Sequence, residues 1–462
     1  MDEHVVVGGS IAALVTADEL AARGADVRLL LPERGVGGGF AAIHRDGRSL
    51  ELGVRLLELS YEDMAASTPP FADYRPAIGA HRPYAAKLDS WTRELLGERV
   101  VPAQRPRMFF DGRIVDDLYF TTDALAIRHA LGEAERVTIH DEACAARAAA
   151  GCDAGLLDPA NCHELAAISA DDASLRNHGP SFHERLIAPI AEKIVPGGGR
   201  DVLATLRRKI WMPLFWPATL AQACNGGEVA FRPERPFHTV APDGCGAIVE
   251  ELLRRIESRG ARVERAGGLE HVAPSANGGV EMTFSNAGAV RAHRPTLGSA
   301  PGELFAAAGA EYKPDTARSV ICWIEAHPED LSEVPSLLNV VDATLDALRV
   351  SSSGRGAPDM QLLTVELRHD LPESEIAAAA VAALHGTGLL REGAETHVVM
   401  SAAASTFALP TRPNTERFEQ AQRTLAGLGL DAEIVGGALD FGADALGEQI
   451  VQGLRAAEVQ LS

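Results

Sequence analysis

The sequence has few cysteines and no excess of basic residues, and each shortage excludes a class of protein. Six cysteines in 462 residues occur without C-x-x-C spacing, which disfavours a zinc site and favours reduced thiols. Lys and Arg number 43 against 64 Asp and Glu, giving a formal net charge of −21. Nucleic acids and anionic membrane surfaces attract concentrated Lys and Arg, so neither is expected as a partner.

The sequence also lacks an apolar run long enough to cross a membrane. One of the longest, Ile376 to Leu384, falls far short of the ~20 residues that a spanning helix needs. The segment Met1 to His4 is acidic and has neither the basic region nor the apolar core of a signal peptide. We therefore expect a cytoplasmic protein with no membrane span that acts on a small-molecule substrate, and we leave a homodimer open.

The N-terminal segment predicts a β-α-β unit. A strand from His4 to Gly9 is followed by a helix from Ile11 to Arg23, and Gly24 supplies a helix stop. A second strand is expected from Ala25 to Leu31. Two strands joined by a single helix lie parallel in a β-α-β unit, since the helix returns the chain to the starting edge, and such crossovers are right-handed.

The rest of the chain predicts a second domain inserted into the first. A mainly helical region spans residues 75–225, and alternating apolar segments between Ser319 and Arg368 suit an antiparallel sheet. Further elements are expected at these places: helices at Ser181 to Lys193, Asp201 to Lys209 and Gly246 to Arg259, a strand at Ala432 to Val435, and a helix at Leu446 to Val459. The predicted fold class is α/β, with a Rossmann-like domain and a second domain of antiparallel sheet plus helices.

The turn after the first strand has the composition of a dinucleotide-binding site. Such a turn needs a glycine at the sharp bend, a second where the backbone approaches a diphosphate, and a small third residue. Gly8 and Ala13 meet the first and third needs, and Ser10 occupies the second position. The predicted diphosphate site is therefore the run Gly8, Gly9, Ser10, Ile11, Ala12 and Ala13, at a helix N-terminus that favours anions. A purely structural β-α-β unit is the alternative.

The end of the second predicted strand carries no acidic residue. In dinucleotide sites a carboxylate there binds the ribose hydroxyls. The strand is expected to end at Leu31, and the nearest acidic residue, Glu33, follows two positions later. Glu33 is the candidate for the ribose contact, although it lies beyond the usual position.

Four motifs follow one another along most of the chain. They are the Gly8 to Ala13 turn, Val36 to Gly39 with Glu51 to Gly53, Pro242 to Ala247 leading to Val263, and Ile434 to Gly437 with Gly453 to Glu458. In this order they resemble the two-domain flavoproteins grouped around amine oxidases, protoporphyrinogen oxidases, phytoene desaturases and UDP-galactopyranose mutases. The resemblance implies that FAD is the cofactor. It also implies cofactor contacts from Gly37, Gly38, Gly39, Val263, Gly436 and Gly437.

This chain departs from the family pattern at positions that contact the cofactor. Ser10 replaces the second glycine, Leu31 the ribose Glu, Gly39 an Arg near the diphosphate, and Gly437 an Asp. A charge-assisted hydrogen bond contributes roughly 1.5–3 kcal/mol, so losing two or three weakens FAD binding by several powers of ten. The alternative to a flavoenzyme is therefore a flavin-free or non-redox member of the fold: a mutase-like enzyme, or a ligand- or partner-binding protein.

Four side chains are candidates for lining the substrate site, and each has a structural alternative. Arg55 follows Gly53, where the resemblance places a residue near the flavin, but a surface arginine is equally consistent. Trp211 and Trp216 form either a substrate wall or packing against the sheet. Arg349 alternates in a predicted strand whose family counterparts face the substrate, and its guanidinium suits a carboxylate or phosphate. A solvent-facing arginine is the alternative there.

These observations predict a discontinuous nucleotide-binding domain (1–75, 225–300 and 395–462) and a substrate domain (76–224 and 301–394). The predicted activity is that of an FAD-dependent oxidoreductase in which a small organic molecule transfers a hydride to FAD. No catalytic side chain is assigned, because the isoalloxazine ring carries the chemistry. No metal site is expected.

Overall fold

The computed structural model describes residues 3–53, 56–59, 87–158, 160–227, 229, 237–352, 354–442 and 444–462. Within these ranges the chain forms a parallel sheet covered on both faces and a larger, mostly antiparallel sheet joined to a helical region. The predicted α/β class, with a Rossmann-like domain and a separate antiparallel sheet, is confirmed. Arg55 lies outside the described residues.

The parallel sheet has five strands, of which the first strand of the chain is central. Val6 packs on one side of the sheet, whereas Val5 and Val7 pack on the other, so both faces are covered. A strand buried on both faces needs apolar side chains at successive positions, which explains why three valines follow one another at Val5, Val6 and Val7. The strands in spatial order are Arg262–Arg265, Val27–Leu31, His4–Val7, Thr296–Leu297 and Glu433–Ile434.

Helices cover one face of this sheet, and an antiparallel meander with further helices covers the other. The first face holds Ile11–Ala22, Leu88–Leu96, Gly246–Ser258 and Leu446–Leu461. The second holds strands Leu269–Pro274, Val280–Phe284 and Gly288–Ala292 and helices Pro301–Ala307 and Arg412–Gly427. Buried Asp18 joins two helices of the first face, because Arg255 Nη2 lies 3.0 Å from its Oδ2. Burial raises the pKa of Asp18, while Arg255 and Arg259 oppose the shift.

The larger sheet has seven strands and is antiparallel except for one pair. Helix Ile376–Gly386 packs on one of its faces, against Val350 and Val365. The parallel pair joins Leu337–Val340 to Arg107–Phe110. In spatial order the strands are Thr396–Ala408, Thr316–Ala326, Gln361–Leu367, Ala347–Ser351, Leu337–Val340, Arg107–Phe110 and Arg113–Asp116.

The helical region lies between residues 124 and 224 and packs on the edge of the larger sheet. Its helices are Ile127–Ala130, Glu133–Ala150, Ala170–His178, Pro180–Phe182, Ala188–Ile194 and Pro217–Cys224, with a π-helical turn at His183–Ile187 and a 3-10 helix at Ala204–Ile210. The helix predicted for 181–193 therefore contains a π-helical turn, and a 3-10 helix takes the place of most of the α-helix predicted for 201–209. Buried Lys193 fastens this region to the sheet, since its Nζ donates to the carbonyls of Val340, Asp342 and Ala347, each at 2.8 Å.

Short strands connect the two parts of the molecule. Ile43–Arg45 pairs with Arg48–Leu50, and Phe237–Val240 pairs with Leu57–Glu58 and Val100–Pro102. Among the described residues, no helix combines the length and apolar character needed to cross a bilayer.

Two segments lie in a different part of the molecule from the one their sequence position predicts. The strand Thr396–Ala408 falls in the segment assigned to the nucleotide-binding domain, yet it is hydrogen-bonded along Thr316–Ala326 in the larger sheet. Helix Leu88–Leu96 falls in the segment assigned to the substrate domain, yet it packs among the helices of the parallel sheet. Both differences have one cause: apolar alternation predicts which face of an element is buried, but not against which partner.

Candidate functional site

The turn at Gly8 is built against the neighbouring strand of the parallel sheet. Gly8 has a φ of 105°, and a Cβ there would lie 2.3 Å from the carbonyl carbon of Gly298 and from the amide nitrogen of Ser299. Its own N–H donates to the carbonyl of Leu30 at 2.9 Å. Any side chain at this position would collide with backbone, so the glycine predicted for the sharp bend is required by the fold.

Ser10 caps the first helix and points its side chain inward. Its Oγ accepts a hydrogen bond from Ala13 N at 3.2 Å. A Cβ at Gly298 would lie 2.7 Å from this Oγ, and one at Gly436 would lie 2.9 Å from it. Ser10 is thus enclosed by Gly298, which follows the strand Thr296–Leu297, and by Gly436, which begins a 3-10 helix. The amides of Ile11 and Ala12 remain at the helix N-terminus without an intrahelical acceptor.

The glycine-rich loop after the second strand lies beside this turn. Gly37 N donates to Gly9 O at 2.7 Å, which fastens the loop to the turn. Gly38 and Gly39 follow in a short 3-10 helix, Gly38–Phe40, and are exposed. A helix N-terminus and a glycine loop held together by their backbones fit a diphosphate, which needs close approach of amides without side chains in between.

The other predicted contacts are more scattered. Leu31 is buried, and exposed Glu33 accepts a hydrogen bond from Asn286 Nδ2 at 2.6 Å. Val263 pairs with Leu29 in the parallel sheet, and a Cβ at Gly437 would lie 3.1 Å from Pro301 Cγ. The site therefore fits the diphosphate part of a dinucleotide, while the end of the second strand presents no carboxylate to a ribose.

The segment from Glu51 to Gly53 contacts both the helix Gly246–Ser258 and the larger sheet. Glu51 Oε1 accepts from Cys245 N at 2.5 Å, at the start of helix Gly246–Ser258. The carbonyl of the same Glu51 accepts from Trp323 Nε1 at 2.8 Å, in the larger sheet. Two residues later, a Cβ at Gly53 would lie 3.1 Å from the carboxylate carbon of Glu366.

The larger sheet presents a buried polar face to this segment. Five of its side chains define what we call the polar sheet face: Asn339, Arg349, Ser351, Thr364 and Glu366. Arg349 pairs with Asn339 on one neighbouring strand and Glu366 on the other, and Ser351 pairs with Thr364. Adjacent residues of these strands, such as Val350 and Val365, point to the opposite face, where helix Ile376–Gly386 covers them.

Arg349 lies between a carboxylate and two aromatic rings. Its Nη2 donates to Glu366 Oε2 at 2.8 Å. Its Cζ is 5.8 Å from the ring centroid of Trp211 and 5.9 Å from that of Phe120. The two rings are stacked, with centroids 3.9 Å apart. This arrangement combines a buried ion pair with cation–π contacts and holds the guanidinium in one place.

A buried carboxylate positions the aromatic side of the site. Asp117 accepts from the amide nitrogens of Phe120 at 2.7 Å and Thr121 at 2.9 Å, and from Asn339 Nδ2 at 2.7 Å. Burial raises the pKa of Asp117, and these hydrogen bonds oppose the rise. The loop that carries Phe120 is thereby tied to the polar sheet face.

The polar sheet face contains donors that the protein itself leaves unused. In the part of the chain that the structure describes, Ser351 Oγ, Thr364 Oγ1 and Arg349 Nε are buried and have no hydrogen-bond partner. Ser351 and Thr364 are 1% and 0% exposed, respectively, and Arg349 is 8% exposed. A buried polar group without a partner costs about 1–3 kcal/mol, so three neighbouring ones point to a ligand site.

Known proteins share this architecture at low sequence identity. A family model described as an NAD(P)-binding Rossmann-like domain matches residues 6–67. The crystal structure of a reduced UDP-galactopyranose mutase superposes with a TM-score of 0.70 at 14% identity, covering 100% of this chain and 94% of that chain. The predicted resemblance is confirmed. It is a likeness of fold, because identity is this low.

Two further solved structures have the same fold. An oxidoreductase from Methanosarcina mazei has a TM-score of 0.58 at 12% identity, with 100% of both chains covered. A CLA-producing fatty acid isomerase from P. acnes has a TM-score of 0.57 at 13% identity, covering 99% of this chain and 97% of that chain. No curated protein sequence matches the chain significantly. The neighbours are therefore enzymes of different reaction types on one fold.

The structure brings together some of the predicted substrate-site residues. Trp211 and Arg349 meet on the polar sheet face, whereas Trp216 packs in a separate small cluster with Leu214 and Ala204. Sequence reasoning missed Ser351, Thr364, Glu366, Asn339 and Phe120, although alternation within the two strands could have indicated the first three. Within the described ranges, no group of three or more His, Cys, Asp or Glu side chains is arranged to hold a metal ion.

Proposed function

We propose that this protein is an FAD-dependent oxidoreductase acting on a small organic molecule. The observation that carries the proposal is the continuity from the diphosphate-type turn, through Glu51 and Gly53, to a buried face with unused hydrogen-bond donors. FAD, when bound, supplies the hydride acceptor for oxidation of a substrate C–H bond.

The chain's own residues have binding and positioning roles in this proposal. The amides of Ile11 and Ala12 and the loop at Gly37 would hold the diphosphate by backbone contacts. Ser351, Thr364 and Arg349 would orient the substrate, and Phe120 and Trp211 would exclude water from it. Oxidation of a neutral substrate releases a proton together with the hydride, and this proton passes to solvent, because no side chain is assigned to accept it.

The missing ribose carboxylate favours a second candidate, a flavin-free member of the fold. Leu31 is 1% exposed and packs in the apolar core at the position where the family has a glutamate. Such a protein would use the same polar sheet face to bind a ligand without redox chemistry.

The first experiment is to purify the protein without added cofactor, record its visible spectrum and identify any released small molecule by mass spectrometry. Flavin bands and about one released FAD per chain are the expected result. A colourless protein that also fails to bind added FAD in a titration would refute the flavoenzyme proposal and favour the second candidate.

A variant sharpens this test. Gly39 is exposed and lies beside the turn, at the position where the family has an arginine, so Gly39→Arg should tighten FAD binding about tenfold through one charge-assisted hydrogen bond. Gly427→Arg is the matched control: it adds the same charge at a glycine with open space around it, at the end of helix Arg412–Gly427. Equal FAD affinity in the two variants would place the diphosphate elsewhere.

A further inference from the structure

We infer that the substrate held on the polar sheet face is an uncharged molecule that presents a carbonyl oxygen to Ser351, Thr364 and Arg349. This inference rests on the proposed function, because it names the class of substrate that the same site would take. It differs from the expectation that Arg349 clamps a carboxylate or a phosphate.

Arg349 already has a carboxylate partner inside the protein. Glu366 Oε2 lies 2.8 Å from Arg349 Nη2, and the two side chains are 13% and 9% exposed, respectively. An anion placed against Arg349 would also lie close to Glu366, with little water to screen the repulsion. The pair therefore disfavours carboxylates and phosphates, while the buried Nε–H of Arg349 has no hydrogen-bond partner among the described residues.

The unused groups on this face are complementary to an acceptor oxygen. The Nε–H of Arg349 can only donate, and the hydroxyl hydrogens of Ser351 and Thr364 can rotate toward a ligand. Ser351 and Thr364 are directly opposite each other on neighbouring strands, and Arg349 is two residues from Ser351 on the same face. A carbonyl oxygen offers two lone pairs to these donors and brings no donor of its own.

The surroundings of these donors are aromatic and aliphatic. The stacked rings of Phe120 and Trp211 lie on one side, and Trp323 and Leu50 belong to a buried apolar cluster on the other. The remainder of the substrate is therefore expected to be apolar, with the carbonyl as its main polar group.

Three probes with one phenyl ring separate the charge classes. Acetophenone carries a neutral carbonyl, benzoate a carboxylate and phenylphosphonate a phosphonate. Their affinities are measured by ligand-observed NMR on the full chain, with its flavin content determined in the same sample. We expect acetophenone to bind at least tenfold more tightly than either anion.

Matched variants locate the binding. Ser351→Ala combined with Thr364→Val should weaken acetophenone binding five- to tenfold or more. Thr92→Val is the control, because Thr92 Oγ1 is also buried and unpartnered but lies in helix Leu88–Leu96, away from this face. Removing an unpartnered buried hydroxyl should leave the melting temperature of each variant at or above that of the natural protein, so loss of binding would not reflect unfolding.

Several results would overturn the inference. They are tighter binding of benzoate or phenylphosphonate, unchanged acetophenone affinity in the double variant, and no binding of any of the three probes. The result is separable from the proposed function: a colourless protein that binds acetophenone on this face refutes the flavoenzyme alone. An FAD-loaded protein that binds none of the probes refutes the substrate class alone.

Discussion

Replacing Glu366 by Gln is expected to destabilise the protein, because Arg349 would keep a buried charge without its carboxylate partner. The two side chains are 13% and 9% exposed and 2.8 Å apart, so solvent screens their interaction weakly. Removing one partner of a buried ion pair costs about 3–5 kcal/mol of unfolding free energy. We expect about 3 kcal/mol for Glu366→Gln, since the amide oxygen can still accept from the guanidinium.

The complete test is a double-mutant cycle with Arg349→Met. The single variant Arg349→Met should cost about 2–3 kcal/mol, because it leaves the Glu366 carboxylate buried. The double variant removes both charges, so its cost should fall below the sum of the singles by about 2 kcal/mol. Urea unfolding followed by circular dichroism gives all four free energies.

A surface pair provides the control. Arg291 Nε and Glu281 Oε2 are 3.0 Å apart, but their side chains are 65% and 38% exposed, respectively. Glu281→Gln should therefore change the unfolding free energy by less than about 0.5 kcal/mol. If the two single changes at Arg349 and Glu366 add without coupling, the pair is not electrostatically matched and the argument for an uncharged substrate fails. Glu366→Gln should also improve benzoate binding, because it removes the repelling charge.

Other predictions concern the turn, the helical region and the aromatic loop. Gly8→Ala should destabilise the protein by more than 3 kcal/mol in thermal melts and abolish nucleotide binding, because the new Cβ would meet backbone at 2.3 Å. Gly24→Ala is the control: Gly24 has a φ of 78° and open space around it, so this change should cost about 1 kcal/mol in the same melts. Burial lowers the pKa of Lys193 to about 7, below its ordinary 10.5. The unfolded chain therefore binds the extra proton between these values, so stability should rise with pH from ~7 to ~10.5 by up to about 1.4 kcal/mol per unit, a slope that Lys193→Met should remove from urea titrations at several pH values. Asp117→Asn should lower the unfolding free energy by about 2–3 kcal/mol, because an amide NH₂ would meet N–H donors that now bond to the carboxylate. It should also weaken probe binding on the polar sheet face. An unchanged melting temperature would show that Asp117 does not hold the Phe120 loop.

The local sequence by itself determined the first β-α-β unit. The apolar run from Val5 to Val7 and the helix stop at Gly24 act over neighbouring residues, so their effect is readable without knowing any distant contact. The helix at Gly246–Ser258 was predictable for the same reason, from its apolar stripe. The order of the motifs also predicted the fold class. Each motif can be recognised within one short segment, and together they resemble a family of known fold.

Only the tertiary structure decided where the polar sheet face lies. Alternation in a strand shows that Arg349 and Ser351 share a side, but it does not show that Glu366 and Thr364 lie opposite them, since strand order and register depend on distant pairing. The same reason explains why strand Thr396–Ala408 joins the larger sheet and why Trp211, but not Trp216, reaches Arg349. The candidate site therefore depends on the register between strands. Register is set by pairing between distant segments, so it cannot be read from the sequence of any one of them.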